Sequence, residues 1–249
     1  MFSVQGKHTF ITGGSSGIGL EIVRLFRQGG ATVCVFDLQA NEELEQLGVE
    51  FVQGSVTDES VLANALLETT QRHGPLDVLI NNAGISMEEG AICDTNANTF
   101  QQVLQVNLYG VLYGLKHGGP LVRDGGSIIN TASLAAQASM PEYTGYSVSK
   151  AGVVKLTQQA ALELGSRQIR VNAVCPGTTV TPMEPADSDE TRLCQVACAL
   201  GRPARAEEQA AMYYFLASDE SSYISGQAIN VDGGWLHGMT YAMSSTLLT

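Results

Sequence analysis

Short apolar runs rich in β-branched residues alternate along this chain with longer stretches of helical periodicity. These runs are apolar throughout rather than at every second position, so both faces of each predicted strand should be buried, as in a parallel sheet covered by helices. We count seven runs: HTFIT (8–12), TVCVF (32–36), VEFVQ (49–53), LDVLIN (76–81), GSIINTA (126–132), IRVNAVC (169–175) and QAINV (227–231). The alternation predicts an α/β protein.

The helical stretches between the runs complete this pattern. Predicted helices begin near Gly17, in the 40s and at Asp58; a long one ends near Lys116, another carries YSVSK (146–150), and a later one spans about Glu207–Ala217. No linker, low-complexity block or repeat interrupts the sequence. We therefore predict one domain over residues 1–249, a Rossmann-type doubly wound parallel sheet of about seven strands with helices on both faces.

Charge and hydropathy limit the possible partners. The chain has 249 residues and a formal net charge of −12, with 13 Lys and Arg residues spread thinly. This balance argues against nucleic acid or an anionic membrane surface as a partner. No stretch of about 18 apolar residues occurs, and MFSVQGKHTFITGG at the start has no basic region followed by an apolar run. We expect a cytoplasmic protein that acts on a small molecule.

The cysteine and histidine positions do not form a pattern of metal ligands. Five cysteines occur without a C-x-x-C pair. Cys194 and Cys198 are four positions apart but lack two further ligands for zinc. Cys34 and Cys175 lie inside apolar runs, where they are expected to be small core residues. The histidines are scattered, so we predict no metal site and reduced thiols in a reducing compartment.

A glycine-rich turn follows the first predicted strand directly. In TGGSSGIG (12–19), Gly13, Gly17 and Gly19 allow a tight turn and let the backbone approach a pyrophosphate at a helix N-terminus. Asp37 ends the second predicted strand, 18 residues after Gly19. An acid at that place can accept a hydrogen bond from the ribose 2′-hydroxyl of NAD. The sequence therefore predicts an NAD site.

One stretch, roughly 178–200, departs from the regular alternation. It contains Pro182 and Pro185 and an acidic cluster from Glu184 to Glu190. Ligands of open α/β sheets bind outside the carboxyl ends of the strands, and this stretch follows such an end. We expect a mobile substrate lid over 178–200, with a solvated surface loop as the alternative.

The remaining motifs occur in a recognisable order. They are NNAG (81–84), Asn107 in VNLYG, Ser133 placed 13 residues before Tyr146, YSVSK (146–150), PGTTVT (176–181) and GQAINVDGG (226–234). With the T-G-x-x-x-G-x-G spacing of residues 12–19, the chain resembles the short-chain dehydrogenase/reductase family in its compact one-domain form. The resemblance covers essentially the whole chain.

The resemblance implies a catalytic set of Asn107, Ser133, Tyr146 and Lys150. Tyr146 would be the general acid–base at the substrate oxygen, with its pKa lowered by Lys150 and the nicotinamide. Ser133 would hydrogen-bond the substrate oxygen, Lys150 would hold the nicotinamide ribose, and Asn107 would hold a water that links Lys150 to solvent. The structural alternatives are a strand-end hydroxyl for Ser133, a helix-kink residue for Asn107 and a chance Tyr-x-x-x-Lys spacing.

The resemblance also implies the cofactor contacts. The expected set is Gly13, Ser15, Ser16, Gly17, Ile18, Gly19, Asp37, Leu38, Ser55, Val56, Asn82, Ala83, Gly84, Tyr146, Lys150, Pro176, Gly177, Thr179 and Thr181. Thr181 would contact the nicotinamide carboxamide, unless it is only a loop hydroxyl. The family often has an acidic residue near the adenine where this chain reads Gly54-Ser55-Val56, so that contact should differ in detail.

The implied reaction is reversible, NAD-dependent hydride transfer between a secondary alcohol and its ketone. The alternatives are reduction of carrier-bound 3-oxoacyl groups and a catalytically silent NAD-binding sensor on the same fold. The candidate substrate residues lie beside the catalytic segments: Ser86, Met87, Leu134, Met140, Tyr143, Gly177 and Met183. With the acidic lid nearby, they favour a neutral or cationic, moderately apolar alcohol.

The resemblance further implies a homotetramer. The helices that end near Lys116 and Gly165 have apolar residues on more than one side, for example Val153, Val154, Leu156 and Leu162. The tail WLHGMTYAMSSTLLT contains no acidic and no strongly basic residue, which would be unusual in a fully solvated segment. In the family, both regions meet neighbouring subunits.

Overall fold

The protein forms one parallel sheet with helices on both faces. A computed structural model describes residues 2–247. The strands within this range are β1 His8–Thr12, β2 Thr32–Asp37, β3 Glu50–Gln53, β4 Leu76–Asn81, β5 Val122–Thr131, β6 Arg170–Pro176, β7 Thr179–Val180, β8 Ala204–Arg205 and β9 Ala228–Val231. The main sheet has the order β3-β2-β1-β4-β5-β6-β9, and all of its pairs are parallel. The predicted fold is confirmed.

The helices connect the strands and cover the sheet. Within the described range they are α1 Gly17–Gln28, α2 Glu42–Gln46, α3 Glu59–His73, α4 Ala97–Leu104, α5 Gly110–Tyr113, α6 Thr144–Leu164, α7 Asp189–Ala197, α8 Ala206–Ala217 and α9 Tyr241–Leu247. Two π-helical turns, Gln105–Tyr109 and Gly114–Gly118, continue α4 and α5 into the long helix that the sequence predicts to end near Lys116.

The apolar runs divide their side chains between two cores. In β1, Ile11 packs on one side of the sheet with α1 and α8, while its neighbour Phe10 packs on the other side against α3. Both side chains are fully buried, because successive residues of a strand point to opposite faces. Burial on both faces is why the sequence shows continuous apolar runs rather than alternating ones.

The stretch 178–200 is more regular than the sequence predicts. It contains β7, which pairs with β8, and then the helix α7, whose N-cap Ser188 accepts a hydrogen bond from Thr191 N. The acidic residues at 189 and 190 lie in the first turn of α7, where the helix dipole favours them. The structure therefore corrects the expectation that this stretch lacks regular secondary structure. Its movement as a lid stays a prediction.

The tail after β9 also forms a helix, α9, which packs against α7. Met239 and Tyr241 at its start are exposed, so this part of the chain leaves apolar surface uncovered in the single subunit. Met1, Leu248 and Thr249 belong to the predicted domain and tail but lie outside the described residues.

The described residues offer neither a membrane span nor a ready metal site. Within 2–247, no helix combines the length and the apolar composition that crossing a bilayer requires. No three His, Cys, Asp or Glu side chains of this range come together as metal ligands would. Cys34 and Cys175 are free and buried in the core, as the sequence predicts.

Candidate active site

The glycine-rich turn after β1 is pressed against the segment after β4. A Cβ on Gly13, whose φ is +68°, would lie 2.6 Å from Ala83 Cα, and a Cβ on Gly19 would lie 1.9 Å from Gly13 O. Asn82 Nδ2 donates to Gly13 O at 2.8 Å. The backbone can adopt this path because neither glycine carries a side chain.

The start of α1 leaves backbone donors available. Its N-cap, Ser16, makes no side-chain hydrogen bond to the first turn, and Ser16, Gly17 and Ile18 line a cavity at the carboxyl ends of the strands. The buried Ser15 Oγ has no partner among the described residues. Unpaired N–H groups at a helix start are suited to a phosphate. The glycine-rich turn and the start of α1 therefore fit the pyrophosphate of a dinucleotide.

Asp37 lies at the end of β2, beside that turn. Its Oδ2 accepts a hydrogen bond from Ser15 N at 2.9 Å, and its Oδ1 accepts one from Leu38 N at 2.7 Å. A carboxylate oxygen has further acceptor capacity, so Asp37 can still accept from a hydroxyl. Arg24, further along α1, forms ion pairs with Glu21 and Glu43.

Three strand ends are joined by polar side chains at the cavity floor. Thr12 Oγ1 accepts hydrogen bonds from Asn82 N and Ala83 N, each at 3.1 Å. Thr131 Oγ1, at the end of β5, donates to Asn82 Oδ1 at 3.1 Å. The NNAG segment therefore fixes the ends of β1, β4 and β5 relative to one another.

Tyr146, Lys150 and Ser133 meet on the inner side of α6. Lys150 is 3% exposed, and its Nζ donates to Thr131 O at 2.9 Å. The same Nζ lies 5.7 Å from the centre of the Tyr146 ring. Ser133 follows β5 and lines the same cavity as Tyr146, whose ionised form it favours. The strand end and one helical turn of α6 thus bring the three predicted side chains into one cluster.

Burial governs the titration of this cluster. It lowers the pKa of Lys150 to about 8 and raises the pKa of Tyr146, an effect that Ser133 opposes and the charges of Glu190 and Glu184 reinforce. The sequence predicts a lowered pKa for Tyr146 on the assumption of a charged Lys150 and a bound nicotinamide. In the protein without cofactor, loss of hydration is the largest influence on the Tyr146 pKa and raises it.

Asn107 lies beside this cluster, inside the first π-helical turn. Its Oδ1 accepts a hydrogen bond from Ile85 N, and its Nδ2 donates to Ile85 O, both at 2.8 Å. The side chain is fully buried and does not line the cavity. π-helical turns occur frequently at functional sites. The side chain holds the segment after β4 in place, while its predicted role in binding a water stays a prediction.

One cavity of about 510 Å³ collects most of the predicted site residues. Among the predicted contacts, Ser15, Met87 and Asn107 do not line it. Ser15 reaches Asp37 through its backbone instead. The wall next to Met87 is formed by its neighbours Ser86 and Glu88, and contact of Met87 with the substrate stays a prediction.

The comparisons with known proteins agree with this geometry. A family model of short-chain dehydrogenases, described as Enoyl-(Acyl carrier protein) reductase, matches residues 13–236. The 3-oxoacyl-[acyl-carrier-protein] reductase FabG of Thermotoga maritima is 39% identical over 246 residues, which cover 93% of this chain and 98% of that protein. The chain belongs to the short-chain dehydrogenase/reductase family.

Other members of the short-chain dehydrogenase/reductase family differ in the activities and ligands that their names state. The mitochondrial borneol dehydrogenase of Lavandula x intermedia is 41% identical over 237 residues, which cover 93% of this chain and 91% of that protein. A short-chain dehydrogenase from Burkholderia cenocepacia, solved in complex with NADP, superposes with a TM-score of 0.88 at 31% identity and covers 93% of this chain and 98% of that chain. This chain is therefore an oxidoreductase of a family that binds nicotinamide cofactors.

Relative to that family pattern, the cavity has an acidic wall that the motifs do not mark. Glu88, Glu184 and Glu190 all line it, and Lys150 is the sole basic residue among its lining side chains. Glu190 Oε1 accepts a hydrogen bond from Thr178 Oγ1 at 2.7 Å, and burial raises the pKa of Glu190. The acidic cluster at 184–190 is the signal in the sequence for two of these residues; Glu88 has none.

Trp235 also lines the cavity and was missed as a candidate. It follows the GQAINVDGG segment directly, and Gly233 and Gly234 before it both have positive φ values. Asp232 accepts hydrogen bonds from Gly234 N and Leu236 N, which bends the chain back toward the site. Only this folded path brings the Trp235 ring to the cavity, so no local pattern could have indicated it.

Proposed function

We propose that this protein is an NAD-dependent oxidoreductase that transfers a hydride between a secondary alcohol and the corresponding ketone. The observation that carries the proposal is that Ser133, Tyr146 and the buried Lys150 line one cavity, with Lys150 Nζ 5.7 Å from the centre of the Tyr146 ring. A phenol, a second hydroxyl and an ammonium in one cavity can exchange a proton with a substrate oxygen and hold that oxygen in place.

Each residue of the cluster has a distinct part in the proposed reaction. When bound, the nicotinamide cofactor would supply or accept the hydride. Tyr146 Oη would give a proton to the carbonyl oxygen during reduction and take it back during oxidation. Ser133 Oγ would donate a hydrogen bond to the same oxygen. Lys150 Nζ, held by Thr131 O, would hold the nicotinamide ribose and favour the phenolate of Tyr146.

The proposed cofactor is NAD rather than NADP. The Asp37 carboxylate lines the cavity next to the glycine-rich turn. A ribose 2′-phosphate there would bring like charges into contact. Arg24 on α1 does not line the cavity and is paired with Glu21 and Glu43. The negative charge of Asp37 therefore supports NAD as the cofactor, even though one solved relative contains NADP.

The proposed substrate is a neutral or cationic, moderately apolar alcohol. Glu88, Glu184 and Glu190 form the wall, and apolar side chains such as Leu134 and Met140 complete it. An anionic group would meet uncompensated negative charge in this cavity. We also expect this enzyme to act in the cytoplasm.

A second candidate is reduction of 3-oxoacyl groups on a carrier protein. The similarity to the Thermotoga maritima FabG favours it. The net charge of −12 and the acidic wall oppose it, because such carriers are usually acidic. A silent NAD-binding sensor is a third alternative, and any measurable alcohol turnover would exclude it.

The decisive experiment is a substrate screen read by NADH absorbance. Secondary alcohols, diols, polyols, hydroxysteroids and a 3-oxoacyl thioester would be offered with NAD(H), with Tyr146→Phe as the inactive control. We expect turnover of at least one neutral or cationic alcohol that the variant lacks. Turnover confined to the 3-oxoacyl thioester would favour the second candidate, and NADH binding with no turnover on any compound would favour the sensor.

A further inference from the structure

A buried carboxylate caps the N-terminus of α6, the helix that carries Tyr146. Glu89, on the segment after β4, is 2% exposed. Both of its carboxylate oxygens lie 2.8 Å from Gly145 N, and Oε1 also accepts from Tyr146 N at 3.2 Å. These N–H groups belong to the first turn of α6, where a helix has no acceptor of its own. A residue 56 positions away in the sequence supplies that acceptor.

The surrounding backbone is shaped to admit this carboxylate. A Cβ on Gly145 would lie 2.6 Å from Glu89 Oε1, so a glycine is needed there. Glu142, just before the helix, has a φ of 69°, unusual for a non-glycine residue, and its carbonyl accepts from Glu89 N at 2.8 Å. The N-cap of α6, Tyr143, provides no side-chain hydrogen bond. Glu89 therefore takes the capping role that a local side chain usually has.

The same residue fixes one end of the cavity wall. Glu89 O accepts a hydrogen bond from Asn96 N at 2.8 Å. The other end is held at Ile85, where both backbone polar groups bond the Asn107 side chain. Ser86 and Glu88, which line the cavity, lie between these two attachments. The segment that forms the wall and the helix turn that carries Tyr146 thus meet at one carboxylate.

We propose that Glu89 is the positioning residue for Tyr146: it fixes the first turn of α6 to the cavity wall and so sets where the phenol lies relative to the substrate. Glu89 does not touch the reacting atoms and acts through the backbone of Gly145 and Tyr146. The inference rests on the proposed role of Tyr146 as acid–base. A displacement of about 1 Å at a reacting group can cost as much as 10²-fold in rate, so loss of this attachment should reduce the rate of the chemical step.

The first test follows the attachment itself and needs no substrate. Hydrogen exchange of the protein without cofactor would compare the wild type with Glu89→Ala and Glu89→Gln. In Glu89→Ala, the Gly145 and Tyr146 amides should exchange faster at short labelling times, with the rest of the chain unchanged. Glu89→Gln keeps an acceptor oxygen and should lie between the two. Unchanged exchange at these amides in Glu89→Ala would overturn the proposed attachment.

The second test measures kcat per NADH-binding site on the alcohol found by the screen. Counting active sites by NADH titration removes any loss that comes merely from unfolded protein. We expect at least a tenfold fall for Glu89→Ala, a smaller fall for Glu89→Gln and an NADH Kd within twofold of the wild type. A kcat per site within twofold in Glu89→Ala would refute the positioning role.

A matched control removes the same charge from another helix start. Glu208 accepts a hydrogen bond from Arg205 N at 2.9 Å at the beginning of α8, and it does not line the cavity. Glu208→Gln should leave exchange in the first turn of α6 and kcat per site unchanged. A wild type that turns over no compound would defeat the proposed reaction, whereas the exchange measurement would still decide whether Glu89 holds the turn.

Discussion

The Lys150 ammonium lies 5.7 Å from the centre of the Tyr146 ring, one helical turn further along α6. Lys150 is buried and bonds a strand-end carbonyl, so its position is set by β5 as well as by its own helix. An ammonium in this place can favour the phenolate without touching the phenol oxygen. Burial against the sheet, in addition to the i, i+4 spacing, thus sets the position of the ammonium beside the ring.

Tyr146→Phe should remove the proton-transfer group and leave the ring packing almost intact. We expect turnover to fall by at least ~10²-fold, the lower range for general acid–base catalysis. NADH binding, measured by fluorescence titration, should stay close to that of the wild type. Tyr223→Phe, which alters a fully exposed phenol, is the matched control and should be as active as the wild type. Retention of most of the kcat in Tyr146→Phe would mean that another group moves the proton.

Lys150→Met should change how stability depends on pH. Burial lowers the Lys150 pKa from 10.5 to about 8, so between these two values the unfolded chain binds more protons and wild-type stability rises with pH through this residue. Relative to Lys150→Met, the free energy of unfolding of the wild type should increase by about 2 kcal/mol between pH 7 and pH 9.5. Urea denaturation at both pH values measures this difference.

The control for that measurement is Lys155→Met, which removes an exposed ammonium from the same helix. Its stability difference from the wild type should be the same at both pH values. A pH-independent difference for Lys150→Met as well would show that burial does not lower the Lys150 pKa.

The wild type should prefer NAD to NADP in kcat/KM by at least tenfold, a difference of ~1.4 kcal/mol. Asp37→Ala should narrow this gap, because it removes both an acceptor for the ribose hydroxyl and the repulsion of a 2′-phosphate. Asp124→Ala removes an exposed carboxylate near the amino end of β5 and should leave the ratio unchanged. Equal use of both cofactors by the wild type would contradict the proposed orientation of Asp37 toward the ribose.

Glu190→Gln should weaken the discrimination against anionic substrates. We expect the ratio of kcat/KM for a cationic alcohol to that for an anionic analogue to fall at least ~3-fold, since a charge in the cavity wall is removed. Burial raises the pKa of Glu190, so the wild-type ratio should itself fall with decreasing pH sooner than for an ordinary carboxyl. Glu163→Gln, on an exposed part of α6, is the control. A ratio that Glu190→Gln does not alter would exclude this side chain from substrate selection.

We predict a homotetramer. Leu162 on α6 is 81% exposed, and Tyr109, Leu112 and Val148 are further apolar side chains left open on the long helix and on α6. Light scattering at micromolar concentration should give four times the chain mass of 26.4 kDa. Leu162→Glu should dissociate the assembly, whereas Leu67→Glu on α3, where Leu67 is also exposed, should not. A monomer mass for the wild type would disprove the assembly.

The sheet could be predicted from the sequence because a strand that is buried on both faces appears there as a continuous run of apolar residues. All seven predicted runs are strands, and their bounds shift by a few residues at most, as at Glu50–Gln53 and Val122–Thr131. The glycine turn could be predicted for a similar reason: its backbone approaches the segment after β4 so closely that Gly13 and Gly19 cannot carry side chains. Strand burial and close backbone approach each restrict the residue type at a single position, so they can be recognised in the sequence.

The short elements were not predictable in the same way. The strand pair β7–β8 joins residues 179–180 to 204–205, and α9 packs against α7. Each has too few residues to show a period, and its stability comes from the partner against which it packs. The stretch 178–200 consequently seemed irregular in the sequence although half of it is helical or paired.

By itself, the sequence determined the order of strands and helices, the glycine-rich turn after β1, the acid at the end of β2 and the spacing of Ser133, Tyr146 and Lys150. Tertiary structure alone decided that Glu89 reaches the start of α6, that Trp235 turns into the cavity and that Met87 does not line it. The physical reason is the separation along the chain between the residues that interact. Periodicity and backbone conformation are properties of neighbouring residues, whereas a buried carboxylate 56 positions from its donor is stabilised only after the chain has packed.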